Sequence, residues 1–398
     1  MDIRRNIKIL LWFNFLSYFI FSSPILVLYF NQILNSYTLS MSLYAIETII
    51  SAFFEIPVGI ISDRIGRKKI MMIGAFFRFS SFVLFSLAHN YTLLLIGVCC
   101  AGFSSALASG NNDALLYDTL STINQKEKYH QIYAKIVSCL QSGLFLGSII
   151  GCVFAFYSLR LCLICSIISV FFAFILTYFI TEPPQSCNQN SFLKQFLTAL
   201  HEIWKRRRLK YITLADCLHY GFNEASYSFN SVFIKQFVPI WSLGLLKAVG
   251  HLFNAIGATL SNKVAKKFTI DKTAVLGLIL DDLTNLISVL CNNFLTPFIR
   301  LFSPFVEGIH TPAVNTIIQN EIENDIRATT LSIISIISSV CYTLAALFIG
   351  VLADCFSPYL ALLIAYVCGI LCDCFGFKIL KIAFFYLQTQ KKNSKSSI

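Results

Sequence analysis

Charged residues are scarce in this 398-residue chain. They make up 13% of it, against about 25% in an average soluble domain, whereas apolar residues make up 56%. Long polar stretches are equally rare, because residues 182–208 form the only one. This balance argues against a soluble protein and predicts an all-α protein that crosses a membrane many times.

The sequence also lacks the patterns that mark a metal centre or a catalytic site. Its six histidines show no His-x-x-x-His or comparable spacing, so we expect His219 and His310 to be hydrogen-bonded structural residues. The fourteen cysteines are scattered through apolar segments, where cysteine usually behaves as a small hydrophobe. No nucleophile–base pair is recognisable. We therefore predict neither an enzyme nor a bound metal or other cofactor.

Apolar runs long enough to cross a membrane are abundant. Spanning roughly 30 Å of hydrocarbon takes about 20 mostly apolar residues. The first run follows Arg4, Arg5 and Lys8 but is too long for a typical signal-peptide core, so we count it as a span. The predicted spans, numbered 1 to 12, are residues 9–31, 40–61, 70–88, 91–117, 132–157, 160–180, 210–233, 239–261, 273–291, 295–318, 328–351 and 357–382.

Positive charge is distributed unevenly over the ends of these spans. With few exceptions, the 31 Lys and Arg residues fall on the side of the amino terminus. The exceptions are Arg78, Arg160, Lys235, Lys247 and Arg300. Because such residues favour the cytoplasm, we expect both termini on the cytoplasmic side. The membrane would be a plasma membrane or a bacterial inner membrane. The net charge of +11 then reflects topology and contact with anionic lipid, not nucleic-acid binding.

The polar stretch divides the chain into two halves with six predicted spans each. We predict an amino-terminal bundle (1–181), a cytoplasmic linker (182–208), a carboxyl-terminal bundle (209–386) and a cytoplasmic tail (387–398). Apolar linker residues recur at three- and four-residue steps, which fits either an amphipathic helix on the membrane surface or a plain tether. They are Phe192, Leu193, Phe196, Leu197, Leu200 and Trp204.

A densely charged turn separates spans 2 and 3. Its sequence is Gly59-Ile-Ile-Ser-Asp63-Arg64-Ile-Gly66-Arg67-Lys68-Lys69. This pattern resembles the loop between helices two and three of major facilitator superfamily transporters. The resemblance implies twelve transmembrane helices in two six-helix bundles and the activity of a secondary active transporter. Residues 257–267, between spans 8 and 9, keep the glycine and the terminal lysines and form a weak internal repeat.

The resemblance also implies that this turn is a gating loop. Asp63 would face the start of span 11 near residues 321–327, where a helix amino terminus favours a carboxylate by about 0.3–1 kcal/mol. That contact would close the inner side while a central cavity opens outward. The alternative is that the cations only fix topology. The residues assigned to the gating loop are Gly59, Asp63, Arg64, Gly66, Arg67, Lys68 and Lys69.

Polar residues four positions apart form stripes along spans 1, 4, 7 and 10, which line the central cavity in the family this chain resembles. The candidates for solute binding or ion coupling are Asn14, Tyr18, Asp113, Tyr220, Glu224, Glu307 and Asn315. Ser, Thr and Asn in such stripes can instead bond neighbouring helices. A lone carboxylate in a membrane is too costly for that role and must meet water, a cation, a proton or substrate.

Glu55 and Arg78 lie at similar depth in spans 2 and 3. We predict a buried, structural ion pair between them, with Asp113 as the alternative partner of Arg78. The family places spans 3 and 9 at the periphery. For that reason we expect no substrate contact from Arg78, Asp281 or Asp282.

The sequence as a whole favours a monomeric transporter that moves a small amphipathic solute by alternating access. Abundant phenylalanine and the lack of paired cations in the cavity spans favour an amphipathic solute over a phosphorylated one. We place proton-coupled efflux of such a solute ahead of uptake. Span 5 has the glycine stripe of drug–proton antiporters without its Gly-Pro step, and Val98 stands where their arginine is expected. The alternatives are proton- or sodium-coupled nutrient uptake and, in a different class, a transport-inactive receptor or scaffold.

Overall fold

The structure, a computed structural model, describes residues 3–184, 200–201, 203–322 and 327–374. Regular structure in these residues is helical, with no strand. The helices are α1 (Arg5–Tyr18), α2 (Leu26–Leu34), α3 (Tyr37–Ile65), α4 (Arg67–Leu87), α5 (Tyr91–Ala108), α6 (Asn111–Thr122), α7 (Tyr129–Tyr157), α8 (Leu159–Tyr178), α9 (Arg207–Ile234), α10 (Leu243–Phe268), α11 (Ile270–Cys291), α12 (Thr296–Arg300), α13 (Phe302–Glu321), α14 (Arg327–Cys355) and α15 (Pro358–Cys374).

Each of the twelve predicted spans coincides with one or two of these helices. In the described part of the chain, eight helical stretches are long and apolar enough to cross a membrane. Predicted span 12 corresponds to α15 up to residue 374, and its remainder lies outside the described residues. The prediction of an all-α, multi-pass membrane fold is confirmed.

Three of the predicted spans are interrupted, which hydropathy did not indicate. Span 1 divides into α1 and α2 around Pro24, whose ring removes a backbone donor. Span 4 divides at Gly110, which has φ +68° and precedes α6. Span 10 divides into α12 and α13 at Leu301. All three belong to the spans expected to line a cavity, where broken helices expose backbone groups to a ligand.

The chain forms two compact units. Unit 1 comprises Met1–Gln189, Ser228–Leu252 and Gly350–Pro358. Unit 2 comprises Asn190–Tyr227, Phe253–Ile349 and Tyr359–Ile398. Helices α9, α10 and α14 each contribute residues to both units. The assignment of bundles to residues 1–181 and 209–386 stays a prediction.

Unit 1 is held together by close helix packing. Helix α5 contacts both α3 and α4, while α1 packs against α7 and α8. On α7, the stripe of Gly143, Gly147 and Gly151 faces the backbone of residues 15–21, and a Cβ at Gly147 would lie 2.7 Å from the Ile20 carbonyl oxygen. The glycine stripe of span 5 is therefore a face of close helix contact. In unit 2, α11 and α13 form the corresponding close pair.

Candidate functional site

Unit 1 contains a cavity of about 430 Å³ bounded by α1, α4, α5, α6, α7 and α8. This volume lies within the roughly 300–1,000 Å³ typical of small-molecule sites. Apolar side chains such as Phe13, Met71 and Val170 form part of its wall. Its polar wall consists of Asn14, Ser17, Tyr18, Arg78, Ser104, Ser105, Ser109, Asn112, Asp113 and Tyr133.

Three of the predicted cavity residues, Asn14, Tyr18 and Asp113, meet in this one space. Asn14 is buried and donates a 2.9 Å hydrogen bond to the Leu10 carbonyl oxygen. Asp113 lies in the first turn of α6, where the helix dipole favours a carboxylate. The cavity wall therefore carries a negative charge at a helix amino terminus.

Arg78 lines the same cavity, although we did not expect it there. Family architecture suggested a peripheral position for span 3, but α4 lies against α5 and α8. From there Arg78 reaches the space that also contains Asp113. The cavity thus holds one cation and one carboxylate, a combination that the stripes alone did not reveal.

The predicted Glu55–Arg78 ion pair is not among the contacts that these two residues make in the described part of the chain. The Glu55 carboxyl interacts with Ser109, whereas Arg78 lies over the Phe82 ring, 5.5 Å from its centroid, and interacts electrostatically with Glu47. Similar depth in their spans does not bring Glu55 and Arg78 together, because α3 and α4 both pack mainly on α5 and only slightly on each other.

Glu182, which we did not assign to the gating loop from the sequence, is bonded to this loop. Gly66 has φ +110°, a conformation that favours glycine, and links α3 to α4. The Glu182 carboxylate accepts hydrogen bonds from the backbone N–H groups of Arg67 (2.7 Å) and Lys68 (2.9 Å). It thereby satisfies the open amino terminus of α4. The sequence did contain a signal for this role of Glu182, because an acidic residue precedes Pro183 at the same membrane end as the loop.

The loop is also bonded to the helix that carries Asp113. The Arg67 guanidinium donates to Asp118 on α6 at 2.5 Å. Asn111, in the first turn of α6, accepts from the Ser62 hydroxyl (2.5 Å) and donates to the Arg67 carbonyl oxygen (3.1 Å). Lys68 Nζ donates to the Tyr178 carbonyl oxygen at the end of α8 (2.9 Å). A movement of the loop would therefore be transmitted to the cavity wall.

The gating partner proposed for Asp63 falls outside what the structure describes. The side chains of Asp63 and Arg64 and residues 323–326 are not among the described parts of the chain. No described atom comes within 4 Å of a Cβ placed on Gly59, so this glycine serves no close helix contact there. The gating contact stays a prediction.

At the end of α3 opposite the gating loop, a second carboxylate meets a helix amino terminus. Asp354, near the end of α14, accepts hydrogen bonds from the Ser36 hydroxyl (2.7 Å) and from the backbone N–H groups of Tyr37 (2.8 Å) and Thr38 (2.9 Å). All four residues belong to unit 1. We call this the Asp354 contact. It joins the first and second halves of the sequence.

The sequence carried a signal for this contact that we did not use. Gly350-Val-Leu-Ala-Asp354 repeats the Gly-x-x-x-Asp spacing of residues 59–63. A Cβ at Gly350 would lie 2.8 Å from the Cα atom of Thr38, so the glycine allows the two helices to approach. Nearby, Ser231 on α9 donates to the Pro24 carbonyl oxygen (2.8 Å), and Lys247 on α10 donates to that of Ser23 (3.3 Å).

The remaining predicted site residues belong to unit 2. Glu307 on α13 interacts electrostatically with Glu224 and His219 of α9 and with Asp281 of α11. Tyr220 and Asn315 are exposed on α9 and α13. The structure therefore brings Glu224 and Glu307 near each other and near further charged groups.

The two histidines differ in their bonding. His219 Nδ1 lies 2.8 Å from the Asp373 carboxylate, which confirms that this histidine is hydrogen-bonded. Both ring nitrogens of the buried His310 lack a partner among the described residues. The prediction of a hydrogen-bonded histidine is therefore wrong for His310.

Comparisons with known proteins agree with this architecture. A family model described as the Major Facilitator Superfamily matches residues 9–340. An uncharacterized transporter of Buchnera aphidicola subsp. Acyrthosiphon pisum (strain APS) is 32% identical over 139 residues, which is 34% of each chain. One of Buchnera aphidicola subsp. Schizaphis graminum (strain Sg) is 26% identical over 214 residues, 54% of this chain. The matches span only 34% and 46% of these two curated relatives.

Solved structures resemble the chain over nearly its whole length. The nucleoside transporter NupG matches with a TM-score of 0.79 at 13% identity, covering 96% of this chain and 100% of the other. A bacterial homolog of the human lysosomal transporter Spinster matches with 0.78 at 14% identity, covering 96% and 98%. A D-xylose-proton symporter matches with 0.77 at 13% identity and the same coverage. At these identities the likeness establishes the fold.

Proposed function

The chain belongs to the Major Facilitator Superfamily, and from that premise we propose that it is a secondary active transporter that exports a small amphipathic solute in exchange for protons. It would act as a monomer in a plasma membrane or bacterial inner membrane, with both termini in the cytoplasm. The observation that carries the proposal is the cavity of about 430 Å³ in unit 1.

The wall of this cavity suits a solute with both apolar and polar parts. Phe13, Tyr18 and Tyr133 offer aromatic surface, while Arg78 and Asp113 offer one charge of each sign. A strongly anionic solute would call for several cations in the wall. The single cation instead supports a weakly charged or zwitterionic amphipathic compound.

Coupling to protons requires a group whose charge depends on access to water. Burial disfavours a carboxylate's charged form and nearby cations favour it, so a change of environment can load or release a proton. Asp113 in unit 1 and the neighbouring Glu224 and Glu307 in unit 2 are the candidates. Sodium could use the same oxygens, which keeps a sodium-coupled mechanism as the alternative.

Alternating access would use both ends of α3. The Asp354 contact would hold the outer side closed and would break when the cavity opens outward. The contact of Asp63 with the start of α14 would form on the inner side in that state. The bonds from Arg67 and Ser62 to α6 would carry the change to Asp113.

The direction and the substrate class can be tested together by comparing all small solutes in cells with and without the protein. Export predicts that at least one amphipathic compound is depleted inside expressing cells. Accumulation of such a compound would overturn export in favour of uptake, and an unchanged solute pool would favour a receptor or scaffold.

Coupling can then be tested with the identified solute in vesicles under an imposed pH gradient. Glu224→Gln and Glu307→Gln should each reduce pH-driven flux by more than about tenfold, because an amide cannot carry the proton. Glu127→Gln changes an exposed carboxylate in the turn before α7 and serves as the control. Unchanged pH dependence in both variants would exclude these two residues as the coupling site.

A further inference from the structure

A second polar centre lies in unit 2. His219 of α9, Asp281 of α11 and His310 of α13 each offer one possible ligand atom, and these atoms lie within 4.8 Å of one another. A second such group shares His219 and adds Asp282 and Asp373. We call the first three residues the His-Asp-His cluster.

His310 indicates that this cluster is built for a ligand. Its side chain is only 4% exposed, and neither ring nitrogen has a hydrogen-bond partner among the described residues. Leaving a buried imidazole without a hydrogen-bond partner is destabilising, so such groups call for an explanation. A bound cation would provide the missing partner, because a neutral imidazole nitrogen is a common metal ligand.

The position of His310 is also constrained by close packing. A Cβ placed on Gly277, one turn before Asp281 on α11, would collide with the Cβ of His310. The absence of a side chain at this position lets α13 approach α11 and sets His310 beside Asp281. The cluster is therefore fixed by the contact of two helices.

The other two ligands are oriented by further hydrogen bonds. Asp373 holds Nδ1 of His219 at 2.8 Å, which fixes the ring and leaves Nε2 for another partner. Asp281 is 1% exposed and accepts hydrogen bonds from Ser303 (2.6 Å) and Asn285 (3.2 Å). Metal-binding histidines and carboxylates are typically held by outer partners of this kind.

Several carboxyl groups and one permanent cation surround the cluster. Asp282 and Asp373 form the second group with His219, and Arg300, which donates to Asn285 at 2.5 Å, interacts with Asp281. A buried carboxylate is costly unless a cation accompanies it. A divalent cation at the cluster would stabilise the charged form of Asp281.

We propose that the His-Asp-His cluster binds one divalent first-row transition-metal ion. Two imidazole nitrogens and one carboxylate oxygen suit ions such as Zn²⁺ or Co²⁺, whereas Mg²⁺ and Ca²⁺ prefer oxygen ligands only. Three protein ligands leave a coordination position open for water or another ligand. We predicted no metal from the sequence, because the ligands come from three helices and show no metal-binding spacing along the chain. The site does not depend on the proposed solute or on its direction of transport.

The test uses the full-length protein in detergent and Co²⁺ as the probe. Visible absorption of bound Co²⁺ reports its ligands, and competition with Zn²⁺ measures affinity for the second ion. We expect binding of one Co²⁺ per chain that Mg²⁺ does not displace. His310→Leu, which keeps apolar volume, and Asp281→Asn should each weaken binding by at least about tenfold, and Asp373→Asn by about 10–100-fold.

His251→Leu is the matched control. His251 on α10 also has an unpartnered ring nitrogen, but it belongs to unit 1. This variant should bind Co²⁺ like the unmodified protein. Melting without metal verifies that each variant is folded, since a folded variant keeps a cooperative transition.

Three results would overturn the proposal. One is the absence of Co²⁺ binding to the folded, unmodified protein. Another is a sulfur-to-cobalt charge-transfer band, which would place the metal on cysteines. The last is equal binding in His310→Leu and the His251→Leu control. Solute flux is not a readout here, so failure of the metal site and failure of the transport proposal are distinguishable.

Discussion

At the scale of single residues, carboxylates at helix amino termini recur in this protein. Glu182 accepts from the first N–H groups of α4, Asp354 from those of α3, and Asp113 lies in the first turn of α6. Glu182 and Asp354 each supply an acceptor to donors that a helix leaves open, whereas Asp113 lies within the helix whose dipole favours it. In this way the polar ends of apolar helices are satisfied by residues distant in sequence.

Replacing Asp354 by Asn should lower the melting temperature of the detergent-solubilised protein. The amide keeps the size of the side chain but loses its charge and one acceptor oxygen, at a cost of about 1 kcal/mol, as for a lost helix cap. Thermal unfolding measures the change. Asp271→Asn, at an exposed carboxylate in the first turn of α11, is the control for general charge loss, and an equal effect of both substitutions would argue against the Asp354 contact.

At the scale of helices, close approach depends on where glycine is placed, and two glycines with the same local sequence context differ. Gly350 lies against Thr38, whereas Gly59 has free space around its Cα among the described residues. Both precede an aspartate by four positions. The surroundings, not the motif, decide which glycine is required for packing.

Gly350→Ala should therefore destabilise the protein by about 1–3 kcal/mol, because the new methyl group overlaps α3. Gly59→Ala should be neutral or stabilising by up to about 1 kcal/mol, since alanine favours the helix. Melting temperatures of the two variants in detergent give the comparison. Equal temperatures would show that α14 and α3 tolerate a Cβ at their contact.

The positions of the helices could be predicted from the sequence better than the points at which the predicted spans are interrupted. Long apolar runs set the twelve predicted spans, because the membrane requires about 20 such residues. Hydropathy averaged over the breaks at Pro24, Gly110 and Leu301, since the apolar residues of each span outnumber the polar residues next to its break. Spacing along the sequence does not give the direction of a side chain around its helix, and the predicted Glu55–Arg78 pair is not among the described contacts of these two residues.

At the scale of the whole molecule, the candidate sites assemble from helices far apart in sequence. Asn14, Tyr18 and Asp113 could be predicted as cavity residues because their stripes follow helical spacing. Arg78 and the His-Asp-His cluster could not. In unit 1, α4 meets its neighbours only through tertiary packing, and the same holds in unit 2 for the three helices that carry the cluster. Lone residues such as His310 carry no pattern along the chain.

The substitution Asp63→Asn tests the predicted gating contact of Asp63 with the start of span 11, which concerns a movement of the whole molecule. The substitution should leave the protein inserted and folded but reduce solute flux, because the state with the cavity open outward loses a contact worth about 0.3–1 kcal/mol. Flux in vesicles, normalised to the amount of inserted protein, is the measurement. Normal flux would leave the charged loop as a determinant of topology alone.

The Asp354 contact has a consequence for how this protein tolerates sequence change. Two of its donors are backbone N–H groups, which every residue except proline provides. The side chains of Ser36 and Thr38 also bond to the carboxylate. Position 37 can therefore change to any residue except proline without losing a donor, whereas a substitution at position 36, 38 or 354 removes part of the contact.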